Sequence, residues 1–127
     1  MEWVGFCKKD DNSSYRYQGS NSIGLEILGL FLDQDIGYRP SDFFRDWILS
    51  DENAWAVSGN ITVLEKVDDD IYLTDQYSQE QNPTELKINR QQLVKLIDDW
   101  KEKMCTKKPK EVIIKHENDQ FIIETTD

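Results

Sequence analysis

Residues 89–104 read NRQQLVKLIDDWKEKM, and they carry the strongest structural signal in this chain of 127 residues. Apolar side chains recur there at offsets of 0, 3, 4, 7 and 11, namely at Leu93, Leu96, Ile97, Trp100 and Met104. The period of an α-helix places these five on one stripe, which another layer must cover. Asn89, with Gln92 three residues later, forms a capping box. We therefore predict a helix over about residues 90–104 that packs against a sheet.

The segment before this helix has the two-residue period of a β-hairpin. Apolar residues alternate with polar ones at three positions, Ile61, Val63 and Val67. A second run, residues 71–74, follows the acidic triplet at residues 68–70, which has the composition of a turn. Pro83 precedes a further short strand, predicted at residues 86–88. We expect the alternating residues to face the core.

Two apolar runs follow the helix. Residues 112–114 and 121–123 flank a polar turn that contains His116, the only histidine of the chain. Apolar runs without alternation predict strands that are central in a sheet or covered on both faces. Residues 59–127 are therefore predicted to fold in the order β-β-β-α-β-β.

The first part of the chain predicts a hairpin followed by a helix. Residues 3–7 and 15–17 have the composition of strands, and residues 18–21 that of a loop. Ser22 is predicted to cap a helix over residues 23–33. The buried face of this helix would contain Ile23, Ile27, Leu30 and Phe31.

A second helix is predicted from Ser41, directly after a proline, to near Ser50. Its buried side chains would be Phe43, Phe44, Trp47 and Ile48. The length of the chain is typical of one domain with one core. We therefore expect a single α+β domain, a mostly antiparallel sheet of hairpins packed against two to three helices. Residues 1–58 would supply the first hairpin and helices, and residues 59–127 the rest.

The chain is strongly acidic, because 15 Lys and Arg against 25 Asp and Glu give a net charge of −10. Nucleic acids and anionic membranes are bound mainly through cations, so neither is an expected partner, whereas a basic protein would be attracted. The first residues lack a signal-peptide pattern. The most apolar window, residues 23–32, contains Glu26 and is too short to span a bilayer. These features predict a cytoplasmic protein.

The common catalytic and metal-binding motifs do not occur in the sequence. His116 has no Ser, Cys or acid at a motif spacing, and there is neither a nucleophile elbow nor a phosphate-binding loop. Cys7 and Cys105 lack CxxC spacing, so we expect idle thiols. Asp33 and Asp35 look superficially like the start of a calcium loop, but its later ligands are missing. We predict no catalytic residue, no cofactor and no metal.

An acidic turn is the first candidate for partner binding. Its carboxylates, with two that follow, would contact Lys or Arg side chains in a basic cleft. The residues are Asp68, Asp69, Asp70, Asp75 and Glu80. The alternative is a solvated turn that resists aggregation, and three consecutive residues in a tight turn cannot all ligate one cation.

The long helix offers a second acidic face. It carries Asp98, Asp99 and Glu102, off the apolar stripe. Ion pairs of Lys95 with Asp99 and of Asp98 with Lys101 are expected there, and they are typical of a helix surface that is merely solvated.

Three stretches resemble small acidic bacterial immunity proteins of contact-dependent inhibition and other polymorphic toxin systems. They are residues 60–66 (NITVLEK), residues 93–100 (LVKLIDDW) and residues 108–114 (KPKEVII). The resemblance implies a cytoplasmic antidote that binds one cognate toxin domain, often a nuclease, and blocks its active site or substrate groove. Binding surfaces vary among such proteins, so the resemblance implies no particular contact residue.

The favoured hypothesis is therefore an immunity protein that neutralises a basic toxin by electrostatically assisted binding. The alternative is a non-enzymatic adaptor or regulatory protein, either a monomer or a homodimer paired along an exposed strand edge at residues 71–74. A third hypothesis is a small enzyme that uses Asp33 and Asp35 as paired carboxylates.

Overall fold

In the computed structural model, which describes residues 1–8, 15–38, 41–50, 56–79, 81 and 83–127, hairpins build two four-stranded antiparallel sheets, and three helices pack against them. The elements in chain order are β1 (Glu2–Lys8), β2 (Tyr15–Ser20), α1 (Ile23–Leu30), α2 (Phe43–Leu49), β3 (Ala56–Ser58), β4 (Thr62–Val67), β5 (Asp70–Asp75), β6 (Glu85–Asn89), α3 (Arg90–Trp100), β7 (Glu111–Glu117) and β8 (Gln120–Thr126). Helices α1 and α3 continue into π-helical turns at Phe31–Ile36 and Lys101–Lys107. The predicted α+β class is confirmed.

The two sheets have the strand orders β2-β1-β7-β8 and β3-β4-β5-β6. Strand β1 pairs with β7, so that Val4 lies opposite Ile114. The first sheet therefore joins the two ends of the chain, whereas the second is built from consecutive hairpins. Where the sequence led us to expect one sheet, the structure has two.

Helix α3 confirms the prediction from residues 89–104. The five stripe residues, Leu93, Leu96, Ile97, Trp100 and Met104, are at most 2% exposed. Asn89 Oδ1 accepts hydrogen bonds from the backbone N–H groups of Gln91 (2.9 Å) and Gln92 (3.4 Å). In the part of the chain that the structure describes, no bond from the Asn89 N–H to Gln92 Oε1 completes the capping box, and Gln92 Nε2 donates to the Asp119 carbonyl (3.0 Å). The predicted β-β-β-α-β-β order of residues 59–127 is confirmed, with β3 preceding it.

The phase predicted for β4 is wrong by one residue. Thr62 and Leu64 are fully buried, whereas Val67 is 47% exposed. The strand is fixed at its start by Asp35, whose carboxylate accepts hydrogen bonds from both the backbone N–H and the hydroxyl of Thr62. This contact turns a polar threonine inward, and the shift moves the rest of the strand with it.

Residues 71–74 do not form a sheet edge, so this part of the homodimer hypothesis is wrong. Strand β5 lies between β4 and β6, and Ile71 and Leu73 are fully buried. The prediction for the last hairpin is half right, because β7 is central whereas β8 is an edge strand on which Ile122 is 39% exposed.

Strands β1 and β2 form the predicted N-terminal hairpin, but the expected loop at residues 18–21 is wrong. Strand β2 continues to Ser20 and keeps its pairing with β1 through a register shift beside Gly5. Gly19 lies against the Trp3 ring, where a Cβ atom would come within 3.3 Å of it. The glycine therefore marks a close approach inside a strand and not a turn.

The first two helices form, with changed boundaries and faces. Ser22 caps α1 as predicted, accepting from the Leu25 N–H (3.2 Å). Ile23 is 68% exposed, so its predicted burial is wrong, and Leu25 and Leu28 are buried instead. Helix α2 begins two residues after Ser41, and Phe43 is 59% exposed whereas Phe44, Trp47 and Ile48 are buried. Ile23 and Phe43 are the first residues of their helices. In the described part of the chain, no helix has the length and apolar character needed to cross a membrane.

Candidate functional site

Two cations satisfy the carbonyl groups at the C-terminal end of α2. Lys66 Nζ donates to the carbonyls of Trp47 (2.6 Å) and Ser50 (2.9 Å), and it lies 4.4 Å from the centre of a Trp47 ring. Arg90 donates from Nε to the Ile48 carbonyl (2.8 Å) and from Nη2 to that of Ser50 (3.1 Å). The last carbonyls of a helix carry partial negative charge and lack intrahelical partners. These contacts therefore fix the end of α2 on the second sheet.

Arg90 also holds the acidic turn between β4 and β5. Its backbone N–H donates to the Asp69 carbonyl (2.8 Å), and its Nη1 atom lies 3.5 Å from the Asp68 carbonyl. Asp68 has a φ of 54°, a left-handed conformation that Asp tolerates better than most residues. The turn is thus tied through its backbone to the α2 end and to the start of α3.

The side chains of this turn point to solvent beside two exposed aliphatic residues. Asp68 and Asp69 are exposed, and they form no ion pair with any residue that the structure describes. Leu49 is 49% and Val67 47% exposed. We call these four residues, Leu49, Val67, Asp68 and Asp69, the turn surface. A shallow pocket of about 280 Å³ adjoins it, lined by Leu49, Asp69 and the first residues of α3.

The Lys and Arg side chains on the strands and helix beside the turn already bind other groups, and this leaves the carboxylates of Asp68 and Asp69 with their negative charge. Lys66 and Arg90 face the carbonyls at the end of α2, and Lys87 lies 3.7 Å from Asp70. Asp70 is thus locally neutralised, whereas Asp68 and Asp69 remain available to cations of a partner. Of the predicted triplet, the two central turn residues are the ones that can serve a partner.

Asp75 lies apart from the other predicted contact residues. It ends β5 five residues after Asp70, which corresponds to about 17 Å along the strand. Its Oδ1 atom accepts a hydrogen bond from the Tyr77 N–H (2.8 Å). The four carboxylates Asp68, Asp69, Asp70 and Asp75 therefore do not form one compact cluster, and the prediction that they contact one partner stays a prediction. Glu80 lies outside the described residues.

One of the three carboxylates predicted on the acidic face of α3 pairs with α2. Asp98 pairs with Arg45 of α2 (3.0 Å), and Lys101 pairs with Asp42 (2.6 Å). The hydrogen bond from Lys101 holds the pKa of Asp42 below its ordinary value. The expected Asp98–Lys101 pair along the helix is thus replaced by pairs between helices.

The other two carboxylates predicted on this face make no ion pair among the described residues. Asp99 is half-buried, so it offers little surface to a partner, and Glu102 is exposed in the π-helical turn that follows α3. The structure places neither of them beside Asp68 or Asp69 on the turn surface.

Asp35 is fully engaged inside the fold. Its carboxylate accepts from the N–H groups of Asn60 (2.5 Å), Ile61 (3.0 Å) and Thr62 (3.1 Å), and from the Thr62 hydroxyl (2.5 Å). Gly59 is required beside it, because a Cβ atom there would overlap the carboxylate. Asp35 therefore acts as a support for the β3–β4 connection.

Asp33 occupies a different environment from Asp35. It is 7% exposed and accepts hydrogen bonds from the Tyr38 hydroxyl and from Gln34 Nε2 (2.5 Å). Burial raises its pKa above the ordinary value, and burial followed by the Asp33 contact also raises the pKa of Tyr38. The Tyr38 ring stacks on Tyr15 at 5.0 Å and packs against Trp100 at 5.7 Å. The two aspartates predicted as a pair thus have separate partners.

His116 lies in β7 and not in the turn where we expected it. Its ring stacks on Phe121 at 4.3 Å, and Nδ1 lies 3.3 Å from a Glu2 carboxylate oxygen. Cys7 and Cys105 are half-buried free thiols. Among the described residues, no three His, Cys, Asp or Glu side chains come together as a metal site would require.

A groove between α1 and the segment that follows β5 was missed by the sequence reasoning. The groove has a volume of about 300 Å³. Its lining residues are Ile23, Glu26, Ile27, Leu30, Asp75, Ser78, Gln79, Pro83 and Thr84. Because these residues come from segments some fifty positions apart, no local pattern predicts it.

Comparison of the chain with protein-family models, with curated proteins and with solved structures found no match.

Proposed function

We propose that this protein binds a basic toxin domain and neutralises it by covering its active site or substrate groove. The observation that carries the proposal is the turn surface, in which two outward carboxylates, without ion pairs among the described residues, lie beside two exposed aliphatic side chains. The resemblance of three segments to immunity proteins supports the same function.

The fixed geometry of the turn favours tight binding. Ordering a mobile loop at an interface costs free energy, and Arg90 removes much of that cost by tying the backbone of Asp68 and Asp69 in advance. Leu49 and Val67 supply apolar area that excludes water around the carboxylates. Charge-assisted hydrogen bonds strengthen when water is excluded.

The charge of the whole chain supports a basic partner. A net charge of −10 accelerates encounter with a positively charged protein and slows encounter with an acidic one. Enzymes that act on nucleic acids bind phosphates through Lys and Arg, so two adjacent carboxylates can occupy the place of phosphates in such a cleft.

The test begins with capture of partners by the full chain from a lysate of its source cells, at low and moderate salt, with identification by mass spectrometry. The proposal requires one basic protein that stops growth when expressed alone and that is neutralised when this chain is co-expressed. Retention of further copies of this chain alone, or of a partner that has no toxicity, would support the adaptor alternative instead.

The variant Asp68→Asn/Asp69→Asn then tests the turn surface. Asn tolerates the left-handed conformation of Asp68, so the turn is retained while two charges are removed. We expect binding at least tenfold weaker, about 1.4 kcal/mol, with a reduced dependence on salt. The matched control is Glu111→Gln/Glu117→Gln, which removes two charges from exposed positions on β7. Equal losses in both variants would assign the effect to net charge and exclude the turn surface as the contact.

A further inference from the structure

We infer that the groove between α1 and the segment after β5 is a second protein-binding site, one that takes a cationic segment of a partner with apolar side chains flanking an Arg or Lys. The groove is distinct from the turn surface, and the inference holds whether or not the partner is a toxin.

The charge of the groove is the first argument. Among the described residues that line it, Glu26 and Asp75 are charged, and none is a Lys, Arg or His. The Tyr77 N–H holds one oxygen of Asp75 (2.8 Å), which orients the carboxylate. A cation placed between these two carboxylates meets no competing charge from that lining.

The apolar rim is the second argument. Ile23 is 68% and Tyr77 67% exposed, so both side chains present apolar surface to solvent. Tyr17 is 48% exposed and lies near Glu26. Desolvation raises the pKa of the Tyr17 hydroxyl, and the negative charge of Glu26 raises this pKa further. Tyr77 lies in sequence between Asp75 and Ser78, which line the groove, and exposed Tyr side chains are enriched among the residues that contribute most to protein interfaces.

One side of the groove is formed by regular elements, helix α1 and the end of strand β5. Ser22 caps α1, and the side chain of Leu86 from β6 lies against α1 at Gly24. Asp75 belongs to β5, a central strand. A volume of about 300 Å³ is at the lower end of the range for ligand pockets. It accommodates a few side chains, and the rim extends the contact beyond them, which favours a peptide segment over a small molecule.

A peptide titration tests the inference on the full chain. The probe is the amidated, acetylated peptide Leu-Arg-Trp-Arg-Leu, and the comparison is the same peptide with Glu in place of Arg. Backbone NMR shifts of the labelled protein report where each one binds. We expect the Arg peptide to shift residues of α1 and of the segment after β5, and the Glu peptide to leave them unchanged.

Two variants connect the binding to the named side chains. Glu26→Gln/Asp75→Asn removes both charges, while the new amide oxygen can still accept from the Tyr77 N–H, and we expect at least tenfold weaker binding. Ile23→Ser removes the apolar rim at an exposed position, with an expected loss of about threefold. The turn variant Asp68→Asn/Asp69→Asn serves as the control and should leave the affinity unchanged. No shift at millimolar peptide, shifts centred on the turn surface, or equal binding of the Glu peptide would each overturn the inference.

Discussion

Replacement of Asp35 by Ala should destabilise the protein strongly, although the residue is neither apolar nor fully buried. Its carboxylate accepts four hydrogen bonds, and two of the donors belong to Thr62, which is fully buried. The N–H groups of Asn60 and Ile61 lie nearer the surface and can bond to water in the variant. The loss therefore comes mainly from the two buried donors of Thr62.

The magnitude follows from these two donors. A buried donor left without a partner costs about 1–3 kcal/mol, so we expect a loss of about 3 kcal/mol in the free energy of unfolding. With a urea dependence of about 2 kcal/mol per molar, the midpoint of urea unfolding would fall by about 1.5 M. Asp35→Asn keeps one acceptor and should lose roughly half as much.

Urea unfolding followed by tryptophan fluorescence and by circular dichroism measures the effect. Asp46→Ala is the matched control, because Asp46 is an exposed aspartate on α2, and its replacement should change stability by less than about 0.5 kcal/mol. If Asp35→Ala loses less than about 1 kcal/mol, Asp35 does not support the fold. The hypothesis that it serves as a catalytic carboxylate would then regain support.

Three further predictions concern other named contacts. Asp33→Asn should stabilise the protein at pH 7, because burial raises the folded-state pKa of Asp33 and the wild type therefore loses stability as the pH rises through that pKa. The difference in stability between the two proteins should shrink as the pH falls toward 3.8, the ordinary pKa of an Asp side chain. Thermal unfolding of both proteins across this pH range measures the effect. Arg90→Met should cost about 2 kcal/mol, because it removes the side-chain bonds to the carbonyls of Ile48 and Ser50 at the end of α2. It also removes the contact of Nη1 with the Asp68 carbonyl but keeps the backbone N–H bond to the Asp69 carbonyl, so amide hydrogen exchange in the acidic turn should become modestly faster; unchanged exchange there would contradict the role assigned to the Arg90 side chain. Phe44→Ala should lower the free energy of unfolding by about 3–5 kcal/mol and Phe43→Ala by about 1 kcal/mol or less, because Phe44 is 9% and Phe43 59% exposed. Chemical unfolding measures both losses. Equal losses would show that the core does not end between these two residues.

Local periodicity predicted the parts of the fold that depend on local contacts. The stripe on α3 and the hairpins near the C-terminus follow from residue spacing, and the structure confirms them. Local periodicity could not predict the strand order, because the pairing of β1 with β7 joins residues more than a hundred positions apart. The phase of β4 was missed for a related reason, since Asp35 imposes it from 27 positions away.

The candidate site likewise has a part that the local sequence predicted and a part that depends on distant residues. The composition of residues 68–70 pointed to an acidic turn, and Asp68 and Asp69 do form one. The contacts that hold this turn and add apolar residues to it come from distant parts of the chain. Arg90 donates a hydrogen bond to the Ile48 carbonyl 42 positions away, and Leu49 lies beside Ile48 at the end of α2. Asp75 was grouped with the turn in one contact patch because it is near in sequence, yet successive residues of a strand lie about 3.3 Å apart, so the strand carries Asp75 away from the turn.

The two ends of β5, Asp70 beside the turn surface and Asp75 in the groove, lie about 17 Å apart, and this separation determines how the turn surface and the groove can act together. An interface of about 800 Å² on each partner is roughly 30 Å across, so distance alone allows one partner to cover both sites. Sites so far apart should contribute additively to its binding. For a single partner, the combined variant Asp68→Asn/Asp69→Asn/Glu26→Gln/Asp75→Asn should therefore lose the sum of the two separate losses, to within about 0.5 kcal/mol. If the groove variants instead leave affinity for the captured toxin unchanged while abolishing binding of the Arg peptide, the two ends of β5 serve different partners, and the acidity of the chain serves both.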